Sequence, residues 1–218
     1  GCLKAIRNVE KVIAPRLQGV NARGQRMVDH ILNDLDPSPR KEKLGGNAIL
    51  SVSLACARAA ADAQKMELYE YIRELSVGAN GRSPVRSYAI PRPMMVVVEG
   101  GAHADDSTDF QEYLICPLKK VEYRDQVRMG VEIYHATKKI IKEKGYNTNV
   151  GTEGAFAPSG IKSNEEPIQI LIDAIKKAGY RPGTDIGIAL DPAASEFYKN
   201  GSYLLRCEGK ELSAKELI

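Results

Sequence analysis

Two short, continuous apolar runs, Met94–Val98 and Ile186–Leu190, each run straight into an acid, Glu99 and Asp191. Runs of this length and branching suit strands buried on both faces. Gly100-Gly101 ends the first, and a second strand is expected over Glu112 to Cys116, closed by Pro117. Between them and Asp191 the period changes. Val127, Val131, Tyr134 and Ile141 mark a long helix that Gly145 terminates. Ser163 and Glu166 form a capping box ahead of Ile168, Leu171, Ile172 and Ile175, with Gly179 at the far end. Mixed strands and helices of this kind demand a layered α/β fold.

The chain before this region reads differently. Leu3, Ile6, Val9, Val12 and Ile13 recur at helical spacing, and Pro15 is expected to end or kink that helix. Met27, Val28, Ile31, Leu32 and Leu35 predict a second helix, broken by Asp36-Pro37-Ser38-Pro39. Asn47 is the expected cap of a longer helix reaching about Gln64, dense in alanine and serine and so suited to close packing. Leu68 to Leu75 is one more helical piece. The polar, glycine-containing stretch from Ser76 to Ser87 is the expected domain boundary, giving a helical unit over 1–85 and a mixed unit over 86–218. Beyond Asp191, Asn200-Gly201 signals a hairpin between Glu196-Phe197-Tyr198 and Tyr203-Leu204-Leu205. Ser213 and Glu216 make a second capping box.

Composition narrows the partners. The 218 residues carry 31 basic and 28 acidic side chains, a balance without the concentrated basic face of a nucleic-acid binder. No apolar run is long enough to cross a bilayer. Cys2, Cys56, Cys116 and Cys207 are scattered, with no C-x-x-C pair, as expected for reduced thiols in a cytoplasmic protein. The chain begins at Gly1 with no charged-then-apolar leader, which reads as a cut or processed start.

Three acidic loops concentrate the chemistry: Glu99 to Asp106 with Gln111-Glu112, Gly151 to Pro158 around Glu153, and Asp191 to Glu196. Glycine lets backbone approach a ligand closely in the first two. An acid at the carboxyl end of a buried strand is where barrel enzymes hold catalytic groups, and Asp191 fits that description best. Each residue also has a plainer explanation: Asp191 capping its turn, His103 as a satisfied loop histidine, Glu112 and Glu153 as exposed acids. His30 and His135 lie in helical patterns with no partner indicated, and Gly45-Gly46-Asn47 lacks the Lys-Ser/Thr of a phosphate loop.

Taken in order, Gly100-Gly101-Ala102-His103-Ala104, Gln111-Glu112, Glu153-Gly154 with Ala157-Pro158, and Asp191 with Ala193-Ala194-Ser195-Glu196-Phe197-Tyr198 resemble the enolase family. Asn47 to Ala55 resembles it in the helical part, and the likeness covers nearly the whole chain. It implies the helical end of an enolase-type N-terminal domain followed by the first strands and helices of a TIM-like barrel, here incomplete. It also implies a lyase that reversibly dehydrates 2-phospho-D-glycerate, a small phosphorylated carboxylic acid, to phosphoenolpyruvate in glycolysis. Enolase-superfamily sites are known for a Lys or His base working with magnesium.

By the same resemblance Asp191 would be a carboxylate ligand to Mg2+, Glu153 the acid at the departing hydroxyl, and Glu112 the neighbour that raises its proton affinity. His103 would contact substrate, as would Gln111, although in a regular strand Gln111 faces away from Glu112. A homodimer of the complete protein is implied too. The remaining metal carboxylates, the lysine pair and a serine-bearing loop are expected outside Gly1–Ile218, so activity is expected only in the complete protein. Three positions depart from the family pattern: Thr152 stands for an aspartate, Ala155 for a glycine and Glu99 for an asparagine. These substitutions motivate a second reading, a non-catalytic enolase-like binding or scaffold protein; a third, a superfamily member acting on a different carboxylate acid, is opposed by the Gly100-Gly101-Ala102-His103-Ala104 and Ser195-Glu196-Phe197-Tyr198 elements.

Overall fold

The computed structural model describes residues 2–77 and 88–218, and the chain divides into two compact units, Gly1–Tyr88 and Ala89–Ile218. Most of the expected boundary segment lies outside the described residues.

The first unit is helical. Helix α1 (Cys2–Asn8) runs into a π turn (Val9–Ile13) and then α2 (Ala14–Leu17). Pro15 does not end the run. It falls in the first turn of α2, where its missing N–H costs little. The wider turn ahead closes instead through the Ala14 N–H on the Val9 carbonyl.

Helix α3 (Gln25–Leu35) buries Val28 and Leu32. Buried Asp36 then holds the following loop, its Oδ2 accepting the backbone N–H groups of Lys43 at 3.0 Å and Leu44 at 2.9 Å.

Helix α4 (Gly46–Ala63) is capped at Gly45, not Asn47, because the chain enters it at φ 93, a conformation glycine alone takes cheaply. Its alanines Ala57, Ala60 and Ala61 form a buried surface on which Tyr71 of α5 (Leu68–Val77) seats. Leu50 and Leu54 of α4 remain exposed, so only part of the small-residue helix is packed.

The second unit holds the acids. Strand β1 (Met95–Glu99) pairs antiparallel with β2 (Glu112–Pro117). A register shift between Val96 and Val98 lets two consecutive valines, Val97 and Val98, join one core. Helices α6 (Tyr123–Glu143) and α7 (Glu166–Lys177) supply Met129, Ile133, Ile141, Ile170, Leu171 and Ile175 to that core. Burying each such side chain contributes about 1.5–3 kcal/mol.

Gly145 and Gly179 end α6 and α7 as expected, both at positive φ. The Ser163 hydroxyl accepts the Glu166 N–H at 3.1 Å, but the Glu166 carboxylate turns to the Tyr146 hydroxyl, so only half of that capping box forms.

Strand β3 (Ile186–Asp191) pairs antiparallel with β2 and is not buried on both faces. It lies at one edge of the β1-β2-β3 sheet, so burial fades from Ile186 to exposed Leu190 and Asp191.

A second sheet follows, β4 (Tyr198–Lys199), β5 (Ser202–Leu205) and β6 (Lys210–Leu212). Asn200 (φ 52) and Gly201 (φ 96) make the hairpin turn, as their left-handed backbone requires. Glu196, expected in a strand, is instead in a 3-10 turn. The final α8 (Ala214–Leu217) carries the complete Ser213–Glu216 capping box. Among the described residues no barrel closes, and no helix is long and apolar enough to cross a membrane.

Candidate active site

The ladder registers of the first sheet bring three acids into one row. Glu99 is opposite Glu112, and Glu112 is opposite Asp191. All three sit at the same end of the sheet because β1 finishes where β2 begins and where β3 finishes.

A fourth acid joins from the free side of β1. Phe156 N–H donates to the Val97 carbonyl and Glu99 N–H to the Phe156 carbonyl, both at 2.9 Å, so the 151–156 loop lies along β1. Phe156 is buried and stacks on Tyr134, whose hydroxyl donates to the Gly154 carbonyl at 2.9 Å. This clamp carries Glu153, whose backbone N–H donates to Glu99 Oε1 at 3.4 Å. Gly151 is required here. A Cβ on it would lie 2.6 Å from the Glu99 carboxyl carbon and 2.8 Å from the His103 carbonyl oxygen.

His103 completes the group. It ends a short 3-10 turn (Gly101–His103) and donates its backbone N–H to Gly100. Its Nδ1 stands 3.6 Å from Glu99 Oε2 and 3.7 Å from Glu112 Oε1, both too long for hydrogen bonds. The imidazole of His103, Glu99 and Glu153 each offer one ligand atom within 4.8 Å of the others. Gln111 lies just outside β2 and works through its backbone, accepting the Gly100 N–H at 2.9 Å.

Electrostatics single out Glu112. Desolvation pushes its carboxyl above the usual range, and the charges of Glu153 and Asp191 push in the same direction, against a smaller opposite effect of His103. Asp191 caps its own turn through one oxygen, Oδ1 accepting the Ala193 N–H at 2.9 Å. Its carboxylate is the donor type that a hard cation takes, so it fits Mg2+ as one ligand of the several such an ion needs.

Three further residues hold this arrangement, of which the pattern reading passed over two, Asp109 and Asn164. Glu99, the third, is wholly buried, which its charge does not suggest. Asp109 and Asn164 are buried together: Asn164 Oδ1 accepts the N–H groups of Asp109 (2.9 Å) and Phe110 (3.1 Å), and Nδ2 donates to Asp109 Oδ2 and Glu208 Oε1. Asp109 Oδ1 also accepts the Arg206 N–H at 2.7 Å. The loop from β1 to β2, the start of α7 and the β5–β6 turn therefore meet at one polar hub. Nothing local in sequence signals it, since its members are 55 and 44 positions apart.

Residues 87–218 match the family model described as Enolase, C-terminal TIM barrel domain, and residues 1–72 match that described as Enolase, N-terminal domain.

Proposed function

The chain belongs to the enolase family, and from that premise we propose that its acid row serves the reversible dehydration of 2-phospho-D-glycerate to phosphoenolpyruvate, with Glu153 and Glu112 as the proton-donor side of the site. The supporting observation is the convergence of Glu112, Glu153 and His103 at one sheet end, with Glu112 held toward its protonated form. Two neighbouring carboxyls disfavour double ionisation, and Glu112, beside Glu153, is pushed toward holding a proton that the pair can pass on. That proton goes to the departing hydroxyl, which leaves as water. His103, at the mouth of the same group, orients the substrate, and Gln111 lines the approach through the Gly100–Gln111 backbone contact. No residue of this chain is assigned to the base.

Asp191 would hold Mg2+ through its carboxylate. When bound, the ion offsets the negative charge that builds on the substrate carboxylate. A cytoplasmic homodimer is part of the same reading.

The test follows phosphoenolpyruvate formation by the complete protein, by ultraviolet absorbance with Mg2+ present. Glu153→Gln is expected to lower kcat by roughly 100-fold or more while KM changes little. A Glu153→Gln protein retaining most of the wild-type kcat overturns the acid assignment. A wild-type protein that binds substrate without turnover favours the non-catalytic reading, which the buried charge of Glu99 beside His103 motivates.

A further inference from the structure

Glu99 and His103 hold two buried atoms that face each other without bonding. The Glu99 side chain is 0% exposed. Its Oε1 accepts the Glu153 N–H at 3.4 Å, whereas Oε2 has no hydrogen-bond partner. His103 Nδ1, 3.6 Å from that oxygen, is buried and unpartnered as well. Each has left water and recovered nothing, which is rare for buried polar groups.

The place of one proton decides whether the two atoms relieve or aggravate each other. A neutral imidazole carries its proton on Nδ1 or on Nε2. With the proton on Nε2, a bare Nδ1 lone pair would face Oε2 of Glu99 and, at 3.7 Å, Oε1 of Glu112. Three acceptors would then crowd a poorly solvated corner, where their repulsion is screened least. With the proton on Nδ1, a closure of about 0.5 Å brings the N–H within hydrogen-bonding distance of Oε2. Glu99 is the better acceptor of the two acids, because Glu112 is itself pushed toward its protonated form. The other ring nitrogen is left free. Nε2 has no partner among the described residues and is not sealed from solvent, and the His103 side chain remains 22% exposed.

We propose that Glu99 is a positioning residue for His103: its buried Oε2 accepts a hydrogen bond from Nδ1–H, fixes the tautomer and the ring, and leaves Nε2 as an acceptor at the mouth of the site. The same carboxylate holds the Glu153 N–H through Oε1, so one buried group ties the His103 turn to the Glu153 loop. The family pattern has asparagine at this position. An amide that meets the Glu153 N–H with its oxygen turns its NH2 on Nδ1, and the ring proton must then sit on Nε2. An acid in place of that amide therefore exchanges a donor for an acceptor at the exposed end of His103. An Nε2 acceptor recognises a substrate group that donates. On the dehydration reading, on which this last step rests, that group is the hydroxyl of 2-phospho-D-glycerate, which phosphoenolpyruvate lacks.

Long-range proton–nitrogen NMR on the complete, isotope-labelled protein reads the tautomer directly, the His103 signals being those missing from His103→Gln. The wild type is expected to show a proton-bearing Nδ1 and a bare Nε2, with a downfield, slowly exchanging Nδ1 proton. Glu99→Gln, which keeps the shape of the side chain, is expected to invert the two nitrogens, a change that a merely structural Glu99 would not produce. In turnover assays run in both directions, Glu99→Gln is expected to raise KM for 2-phospho-D-glycerate about fivefold, the scale of one neutral hydrogen bond, and KM for phosphoenolpyruvate less than about twofold.

A wild-type His103 with its proton on Nε2 overturns the proposal, since a protonated acid would then be the donor to Nδ1. That measurement needs no variant to fold. A tautomer that Glu99→Gln leaves in place overturns it too. An inverted tautomer with KM raised equally for both substrates removes the hydroxyl as the group that Nε2 meets. Spectra as expected from a wild type that turns over no 2-phospho-D-glycerate would sink the dehydration reading and leave the Glu99–His103 assignment standing.

Discussion

Asn164→Ala isolates the hub that holds the His103–Glu112 loop. Asn164 is 5% exposed, and all four of its side-chain hydrogen bonds run to residues at least 44 positions away. Truncation leaves the Asp109 and Phe110 N–H groups without their acceptor, each at about 1–3 kcal/mol when buried. Asp109 keeps the Arg206 and Cys207 N–H donors, and Glu208 keeps Lys210, so the carboxylates lose less than the two amides do. Water entering the vacated space offsets part of the cost.

The net expectation is a loss of about 3 kcal/mol, a large share of the roughly 5–15 kcal/mol that holds a domain together. Urea unfolding followed by circular dichroism and tyrosine fluorescence measures it, since the chain has no tryptophan. Asn164→Asp sharpens the argument. It keeps the acceptor but turns Nδ2, the donor to Asp109 and Glu208, into an anionic oxygen. At neutral pH it is expected to be less stable than the alanine variant, and to recover as the pH falls into the carboxylate range. A loss below about 1 kcal/mol in Asn164→Ala would falsify the claim that these hydrogen bonds carry the hub.

Two further perturbations test other parts of the fold. Arg181 grips Asp185 through its side chain (3.0 and 3.1 Å) and backbone N–H (2.9 Å), holding the Asp185 carboxyl down at about 2. A depressed acid contributes stability above its unfolded value and loses it as pH falls through the folded one. Asp185→Asn should therefore flatten the stability–pH curve of the protein between about pH 4 and pH 2, and an unchanged slope there contradicts the assignment. In Gly100→Ala the new Cβ would lie 2.9 Å from the Thr108 and Phe110 carbonyl oxygens and press on the Thr108 hydroxyl. It is expected to lower stability by about 1–3 kcal/mol, whereas Gly46→Ala, with nothing within 4 Å, should be neutral or mildly stabilising in thermal melts.

How much of this was legible from residues depended on range. Helices α3, α6 and α7 follow from apolar period, and the ends of α6 and α7 follow from Gly145 and Gly179, because those signals act within a turn or two. The Asn200-Gly201 hairpin is legible for the same reason. Pro15 misled because its effect depends on whether it falls in the first turn of a segment, which the preceding π turn decides. Ile186–Leu190 looked buried on both faces because apolar composition does not reveal that a strand lies at a sheet edge. Strand β6, three residues with the sequence Lys-Glu-Leu, has too little period to register at all. Among the site residues, sequence order singled out Glu112, Glu153, His103 and Asp191. It could not tell that Glu99 is buried, since burial of an acid comes from Gly151, Phe156 and His103 packing around it.

That burial bears on Glu112. Desolvation first, then the charges of Glu153 and Asp191, push its carboxyl above the usual range; His103 opposes them and Glu99 adds a smaller push upward. With an amide at position 99 that last push is lost. The departure from the family pattern at Glu99 therefore bears on the proton-donor side of the site, through the charge it buries beside His103 and the Glu153 backbone.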